Sequence, residues 1–170
     1  EPAQIHEALV GLFQPKVLAG RRVLMTAGPT FEALDAVRGL TNPSSGKMGF
    51  ALARAAREAG AAVTLVAGPV ALETPTGVAR IDVTSALEMH AAVMQRVADC
   101  DLFIAVAAVA DYRPQQRLEG KLKKGAAPLA LTLVPNPDIL AEVAARPEPP
   151  FCVGFAAETH ELERYAEDKR

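Results

Sequence analysis

The strongest constraint on the fold is an alternation along the chain, in which short apolar runs are separated by longer, alanine-rich segments. The apolar runs occupy residues 22–27, 62–67, 78–83, 102–110, 129–134 and 151–155. Helices are predicted over residues 46–60, 85–98 and 136–145, with a last one starting near residue 161. Such alternation produces right-handed crossovers and a parallel sheet covered on both faces. We therefore predict an α/β fold, a Rossmann-like three-layer domain with a mostly parallel sheet.

Apolar side chains at helical spacing support two of the predicted helices. In the helix predicted over residues 46–60 these are Met48, Leu52 and Ala55. In the next helix, Leu87 and Met94 belong to the corresponding set, and Ser85 is a good capping residue for its first turn.

The first 20 residues differ from the rest of the chain. Ile5, Leu9 and Leu12 lie at helical spacing, and Pro15 breaks the pattern. We interpret residues 1–20 as a short amphipathic helix and linker ahead of a main domain that spans residues 21–170.

Charge and cysteine usage exclude several classes of protein. The formal net charge of −2 argues against nucleic acid as a partner. No apolar run approaches the roughly 20 residues that span a bilayer, and no signal peptide is recognisable, so we expect no membrane partner. Cys100 and Cys152 lie outside any CxxC pattern, which predicts buried, reduced thiols in a cytoplasmic protein.

The long segment between the first strand and the first helix of the main domain is the leading candidate for ligand binding. It is neither a GxGxxG turn nor a P-loop, because Thr41 and Met48 stand where a P-loop needs glycine and serine or threonine. A helix start favours an anion, and Ser44, Ser45 and Lys47 add donors around it. The alternative is an ordinary helix cap by Ser44 or Ser45.

Other polar groups follow the remaining strands, at the edge where such sheets bind ligands. Lys121, Lys123 and Lys124 form a basic run that can neutralise a polyphosphate or simply face solvent. Asp111 can bind a metal or a ribose hydroxyl, or cap its own loop. Small residues such as Ala105 leave space for a base, although a tightly packed strand uses the same residues.

Two further patterns carry little weight. Tyr165 and Lys169 match the YxxxK pair of short-chain dehydrogenases, but no glycine fingerprint accompanies them, so a nicotinamide-dependent reductase is the weaker hypothesis. His6, His90 and His160 are isolated, and we expect no zinc site.

Six motifs occur in one order: TAGPT from Thr26, NPSSGKMG from Asn42, AAVADY from Ala107, KLKK from Lys121, NPDIL from Asn136 and VGFAAET from Val153. Together they resemble the phosphopantothenoylcysteine synthetases, including the synthetase half of bacterial bifunctional coenzyme A biosynthesis proteins. The resemblance implies that residues 21–170 are a C-terminally truncated nucleotide-binding synthetase domain. It also implies a decarboxylase domain fused upstream and a homodimer in the full-length protein.

The resemblance implies a CTP-dependent ligase that joins 4′-phosphopantothenate to L-cysteine through an acyl-cytidylate, with Mg²⁺ as cofactor. Asn42 matches the asparagine that binds the acyl intermediate, and Lys121 the lysine needed to form it, with Lys123 as its rival. Asp111 is the predicted metal ligand. Pro43 departs from the family pattern, in which histidine is common at this position.

The predicted nucleotide contacts form two groups. The phosphate-facing candidates at the first loop are Gly28, Ser44, Ser45, Gly46 and Lys47. The contacts implied by the resemblance are Ala105, Val106, Ala107, Asp111, Pro137, Asp138, Ile139, Leu140, Phe155 and Lys169.

Overall fold

The structure is a computed structural model that describes residues 2–124 and 129–155. Its helices are α1 Pro2–Phe13, α2 Lys47–Glu58, α3 Ala86–Met94 and α4 Ile139–Ala144. Its strands are β1 Arg22–Ala27, β2 Phe31–Ala33, β3 Gly39–Thr41, β4 Ala62–Ala67, β5 Ala79–Asp82, β6 Leu102–Ala105, β7 Tyr112–Pro114, β8 Leu133–Pro135 and β9 Phe151–Gly154. A short 3₁₀ turn, Val97–Asp99, follows α3. The helix predicted from residue 161 lies outside the described residues.

The main sheet has five strands in the order β5-β4-β1-β6-β9, and every pair is parallel. Because β1 is central, the chain moves first to one side of it and then, from β6 onward, to the other. This arrangement creates a crevice at the carboxyl ends of β1 and β6, where ligands bind in sheets of this type.

Two apolar layers cover the sheet, because the side chains of a strand alternate between its faces. Val23 and Met25 of β1 pack with α2 residues such as Phe50 and Ala53. Leu24 faces the other way, into a cluster formed with α3 and α4. The predicted three-layer α/β fold with a mostly parallel sheet is confirmed.

Two predicted strands differ from the structure. The apolar run 102–110 leaves the sheet after Ala105, because the following backbone is held by other groups: Ala108 donates its N–H to the Gly28 carbonyl at 2.9 Å. The run 129–134 does not enter the main sheet. Only its end is a strand, β8, which pairs antiparallel with β7 outside the five-stranded sheet.

The buried faces of the two helices match the apolar residues at helical spacing only in part. Met48 is half exposed, and the buried face of α2 comprises Gly49, Phe50, Ala53 and Ala56. In α3 the exposed residue is Leu87, and the buried face comprises Ala86, Met89, Ala92 and Val93. Leu52 and Met94 are partly buried against the core and Val97 is fully buried, so part of each apolar set does pack inward.

The N-terminal helix lies where the sequence predicted one. Leu12 and Phe13 on it are exposed. The chain after it is attached to the end of α2, since Lys16 Nζ donates to the Glu58 carbonyl at 2.7 Å and Leu18 N–H donates to the Ala59 carbonyl at 2.9 Å. Within the described residues, no helix is long and apolar enough to span a bilayer.

Both cysteines are free thiols, and both are partly buried, where the sequence predicted buried thiols. Burial raises the pKa of both the Cys100 and the Cys152 thiol. Neither therefore has the lowered pKa of a reactive cysteine.

Candidate functional site

A cavity of about 800 Å³ opens at the carboxyl edge of the main sheet. It lies where β1, β6 and β9 end and is closed on one side by α4. The residues that line it are Thr26, Ala105, Ala107, Val109, Ala110, Asp111, Tyr112, Pro135, Asn136, Pro137, Asp138, Ile139, Leu140, Ala141, Ala144 and Phe155. This size is typical of a small-molecule site.

Eight of the residues predicted to contact nucleotide line this one cavity: Ala105, Ala107, Asp111, Pro137, Asp138, Ile139, Leu140 and Phe155. Three separate segments of the chain supply them, at residues 105–111, 137–140 and 155. Their side chains are mostly small or apolar, which suits the flat face of a base or a sugar. Val106 does not line the cavity, although its backbone belongs to the same loop.

Two buried threonines shape the cavity floor, and the sequence analysis assigned them no role. The Thr26 hydroxyl accepts hydrogen bonds from the Val106 and Ala107 N–H groups, both at 3.2 Å. The Thr30 hydroxyl accepts from Ala110 N–H at 3.0 Å. These bonds turn the chain out of the sheet after β6. Their signal in the sequence is a threonine on either side of a glycine-proline turn, at the end of an apolar strand.

Asn136 fixes the loop that carries Asp111. Its side-chain amide donates to the Ala110 carbonyl at 2.8 Å, and its backbone N–H donates to the Asp111 carbonyl at 2.8 Å. Arg113 in turn donates to the Asn136 side-chain oxygen at 3.1 Å. The exposed carboxylate of Asp111 is thereby held on the cavity lining.

Asp138 has a structural task beside its place in the cavity. It is the N-cap of α4, and its carboxylate accepts from Ala141 N–H at 3.0 Å. A second contact links α4 to the core helices, since His90 of α3 and Glu142 of α4 lie 2.7 Å apart. Helix α4, which forms one wall of the cavity, is therefore held by its own N-cap and by the contact with α3.

Asn42 lies beside the cavity, although it does not line it. Its side-chain amide donates to the Val109 carbonyl at 3.1 Å, and Val109 belongs to the lining. The neighbouring Thr41 hydroxyl donates to the Thr30 carbonyl at 2.7 Å. The exposed Asn42 amide is thus placed next to the segment that forms the cavity floor.

The first turn of α2 is capped by Gly46 and not by serine. Gly46 is the N-cap residue, with a left-handed φ of 73° and no side-chain capping bond. The alternative that Ser44 or Ser45 is an ordinary helix cap is therefore wrong. Their hydroxyls instead accept from backbone N–H groups two residues later, Ser44 from Gly46 at 3.3 Å and Ser45 from Lys47 at 3.5 Å.

Gly28 is required by packing in this region. It has a φ of 76°, and a Cβ atom there would lie 3.0 Å from Val70 Cγ1, as would one at Gly46. The two glycines let the end of β1 and the start of α2 approach closely. Neither glycine lines the cavity, nor do Ser44, Ser45 and the exposed Lys47.

The lysine run lies on the loop that follows β7, and Lys121, Lys123 and Lys124 are all exposed. None of them lines the cavity, so the choice between Lys121 and Lys123 stays open. The backbone between them is held, because Leu122 N–H donates to the Asp35 carboxylate at 3.0 Å. Lys169 and Tyr165 lie outside the described residues.

The metal site predicted at Asp111 stays a prediction. Among residues 2–124 and 129–155, no group of three His, Cys, Asp or Glu side chains can hold a metal ion. Magnesium in nucleotide sites is often bound by one or two carboxylates together with substrate phosphates and water. The single exposed carboxylate of Asp111 fits that pattern.

Residues 18–170 match the family model for the C-terminal domain of the DNA/pantothenate metabolism flavoproteins. The chain belongs to this family. It is 59% identical over 172 residues to the coenzyme A biosynthesis bifunctional protein CoaBC of Vibrio cholerae serotype O1, covering 99% of the chain and 43% of that protein. It is 50% identical over 175 residues to CoaBC of Escherichia coli K12, covering all of the chain and again 43% of the relative. The chain therefore spans less than half the length of these relatives.

Solved structures agree with this membership. The crystal structure of the C-terminal domain of a CoaBC protein superposes with a TM-score of 0.80 at 43% identity, covering 91% of this chain and 73% of that one. A Cab2 mutant in complex with phosphopantothenate-cysteine has a TM-score of 0.74 at 18% identity, covering 97% and 74%, and shows a shared fold. This chain therefore has the α/β fold of the C-terminal domain of a CoaBC protein.

Proposed function

We propose that this domain is the phosphopantothenate–cysteine ligase of its protein, using CTP to activate 4′-phosphopantothenate. The observation that supports it most is that eight residues predicted from the motifs line one cavity, with Asn42 bonded to its floor. Membership of the CoaBC-type family supplies the class of reaction.

The cavity suits the nucleotide. A pyrimidine base fits against Ala105 and Ala107, between the ends of β6 and α4. Asp111 stands at the exposed part of the lining, where it can meet a ribose hydroxyl or a phosphate-bound metal. Phe155, which directly follows β9, also lines the cavity. This arrangement would bury the nucleoside and leave the triphosphate facing the loops that carry Asn42 and the lysines.

The first chemical step would form the acyl-cytidylate. A carboxylate oxygen of 4′-phosphopantothenate attacks the α-phosphorus, the bond to the bridging oxygen breaks, and pyrophosphate leaves with that electron pair. Both reactants are anions, so cationic groups are needed to bring them together. Lys121, or its rival Lys123, would stabilise the charge on the phosphates. Magnesium, when bound at Asp111, would supply further positive charge at the phosphate oxygens.

The second step would join cysteine. Its amine attacks the acyl carbon, and CMP leaves with the oxygen that came from the carboxylate. The Asn42 side chain would donate a hydrogen bond to the acyl oxygen as negative charge develops there. An amide is suited to this task because it adds no charge of its own beside two phosphorylated groups.

The proposal also covers the rest of the protein, its oligomeric state and its location. We expect a decarboxylase domain in the same protein, a homodimer in which the ligase works, and a cytoplasmic location. Because the chain covers 43% of its curated relatives, these expectations concern the whole protein.

The order of the two steps gives a direct test. With CTP, Mg²⁺ and 4′-phosphopantothenate, the intact protein should release pyrophosphate before any cysteine is added. Omitting 4′-phosphopantothenate should abolish the release, which excludes simple CTP hydrolysis. No release of pyrophosphate from CTP in the complete mixture would reject the proposal.

A further inference from the structure

The turn of the β2–β3 hairpin contains a buried carboxylate that the proposed chemistry does not use. Asp35 is 3% exposed. One of its oxygens accepts from the Val37 and Arg38 N–H groups, both at 2.7 Å, which closes the turn. The other accepts from the Arg38 guanidinium at 2.7 and 3.0 Å and from Leu122 N–H at 3.0 Å. A turn alone needs only the first oxygen.

The second oxygen reaches a segment 87 positions away along the chain. Both backbone groups of Leu122 are held there, since its N–H donates to Asp35 and its carbonyl accepts from Arg38. A third hydrogen bond, from Leu118 N–H to the Leu34 carbonyl at 3.0 Å, also joins this loop to the hairpin. The backbone of the lysine run is therefore attached to the hairpin, while Lys121 and Lys123 stay exposed.

The charge of the Asp35 carboxylate also favours a functional role for its contact with Leu122. Hydrogen bonds from the backbone and from Arg38 hold the pKa of Asp35 well below its usual range, so the carboxylate is ionised at neutral pH. The ion pair with Arg38, at 2.7 Å, balances that charge. The neighbouring lysines are therefore not needed to neutralise Asp35.

The other end of the same hairpin is attached to the cavity. Strand β2 follows Thr30, whose hydroxyl holds Ala110, and β3 ends at Thr41, next to Asn42. The two strands are paired from Phe31 with Thr41 to Ala33 with Gly39. One short paired element therefore connects the Asn42 amide with the lysine run.

We propose that Asp35 is a positioning residue, which holds the lysine run through Leu122 at a fixed place relative to Asn42 and the cavity. This inference rests on the proposed ligase function, in which the lysines act on the nucleotide phosphates. Asp35 touches no substrate in this account. Its effect would be on the placement of cations, and therefore on the rate of pyrophosphate release more than on binding of the nucleoside.

The test compares Asp35→Asn with Glu32→Gln in the intact protein. Glu32 is a matched control because it is a buried carboxylate of the same hairpin, but it accepts from Ala86 N–H of α3 and does not contact the lysine run. Hydrogen exchange of a peptide covering residues 118–124 reports the contact. We expect Asp35→Asn to lose about tenfold or more of the protection at Leu122, and Glu32→Gln to keep it.

Kinetics test the consequence. Asp35→Asn should lower kcat for CTP-dependent pyrophosphate release roughly 100-fold, the loss expected from misplacing a catalytic group by about 1 Å, while KM for CTP changes little. Glu32→Gln should stay within a few-fold of the parent. Retained protection in Asp35→Asn would overturn the inference, as would lost protection with parental kcat. If the parent itself releases no pyrophosphate, the ligase proposal fails, and the exchange comparison still decides whether Asp35 holds the lysine run.

Discussion

At the scale of single residues, the amide of Asn42 carries the most specific chemical claim. It is exposed, bonded to Val109 at 3.1 Å and placed beside the cavity floor. An amide in this position can hydrogen-bond an acyl oxygen without repelling it, whereas a carboxylate would oppose the negative charge that develops there.

We therefore expect Asn42→Asp to slow the cysteine step more than the release of pyrophosphate, by roughly 100-fold or more. Separate measurement of pyrophosphate and CMP in single turnovers checks this. Gln95→Glu is a matched amide-to-acid control at the end of α3, outside the cavity lining, and should behave as the parent. Equal loss in both steps would contradict the role given to Asn42.

The lysine assignment is decided by a second pair of variants. Lys121→Gln should lower the rate of pyrophosphate release roughly 100-fold, because a cation that stabilises the phosphates in the transition state is lost. Lys123→Gln should have a rate within a few-fold of the parent. The reverse order of effects in a pyrophosphate assay would assign the role to Lys123.

Residue types predicted the residues that line the cavity better than the residues that hold this lining in place. Ala105 and Asp111 could be placed near the site because they lie within and just after the apolar run 102–110, and strand ends meet at one edge of a parallel sheet. Phe155 was placed there by the resemblance. Thr30 and Asp35 could not be found in this way. Their partners, Ala110 and Leu122, are distant in sequence, and only the folded chain brings them together.

At the scale of elements, the five strands of the parallel sheet lie on apolar runs. Of the two small antiparallel pairs, β2–β3 and β7–β8, only β8 overlaps a predicted strand. Strands β2, β3, β7 and β8 have three residues each, too few for a periodic signal. The buried face of α2 includes Gly49, Ala53 and Ala56 beside Phe50, because close approach to the sheet needs small residues there.

Gly49 of α2 tests this explanation. A Cβ atom there would lie 2.5 Å from Ala27 Cβ, so Gly49→Ala should destabilise the protein by about 1–3 kcal/mol through overpacking. Gly11→Ala in α1 is the control, since its nearest neighbour would be Glu58 Cγ at an ordinary 3.7 Å. Urea unfolding measures both variants. A stabilised Gly49→Ala, as helix propensity alone predicts, would contradict the close packing.

The β2–β3 hairpin should make stability depend on acid. Since folding lowers the pKa of Asp35, the unfolded chain binds the proton more tightly, and protonation favours unfolding. The contribution of Asp35 is fully present above about pH 5 and is lost as the pH falls below about 4, near the ordinary aspartate pKa. Urea midpoints of the parent and of Asp35→Asn should therefore converge in acid. A constant difference from pH 7 to pH 3 would contradict this.

At the scale of the whole molecule, the strand order places the ends of β1 and β6 side by side, and the cavity opens there. The alternation of strands and helices was enough to predict this layout, and the order of six motifs was enough to predict the family. The choice of CTP was not predictable from residue chemistry, because alanine and phenylalanine walls accept any base. The contacts that join the lysine run to the β2–β3 hairpin could be seen only in the folded chain.

The central claim is that the carboxylate of 4′-phosphopantothenate attacks the α-phosphorus of CTP. The most direct measurement uses 4′-phosphopantothenate labelled with ¹⁸O in its carboxylate, together with CTP, Mg²⁺ and L-cysteine. Mass spectrometry of the products should find one ¹⁸O atom in CMP, because the carboxylate oxygen that attacked the phosphorus leaves with the phosphate when the amide forms. Formation of the cysteine amide with unlabelled CMP would contradict the account.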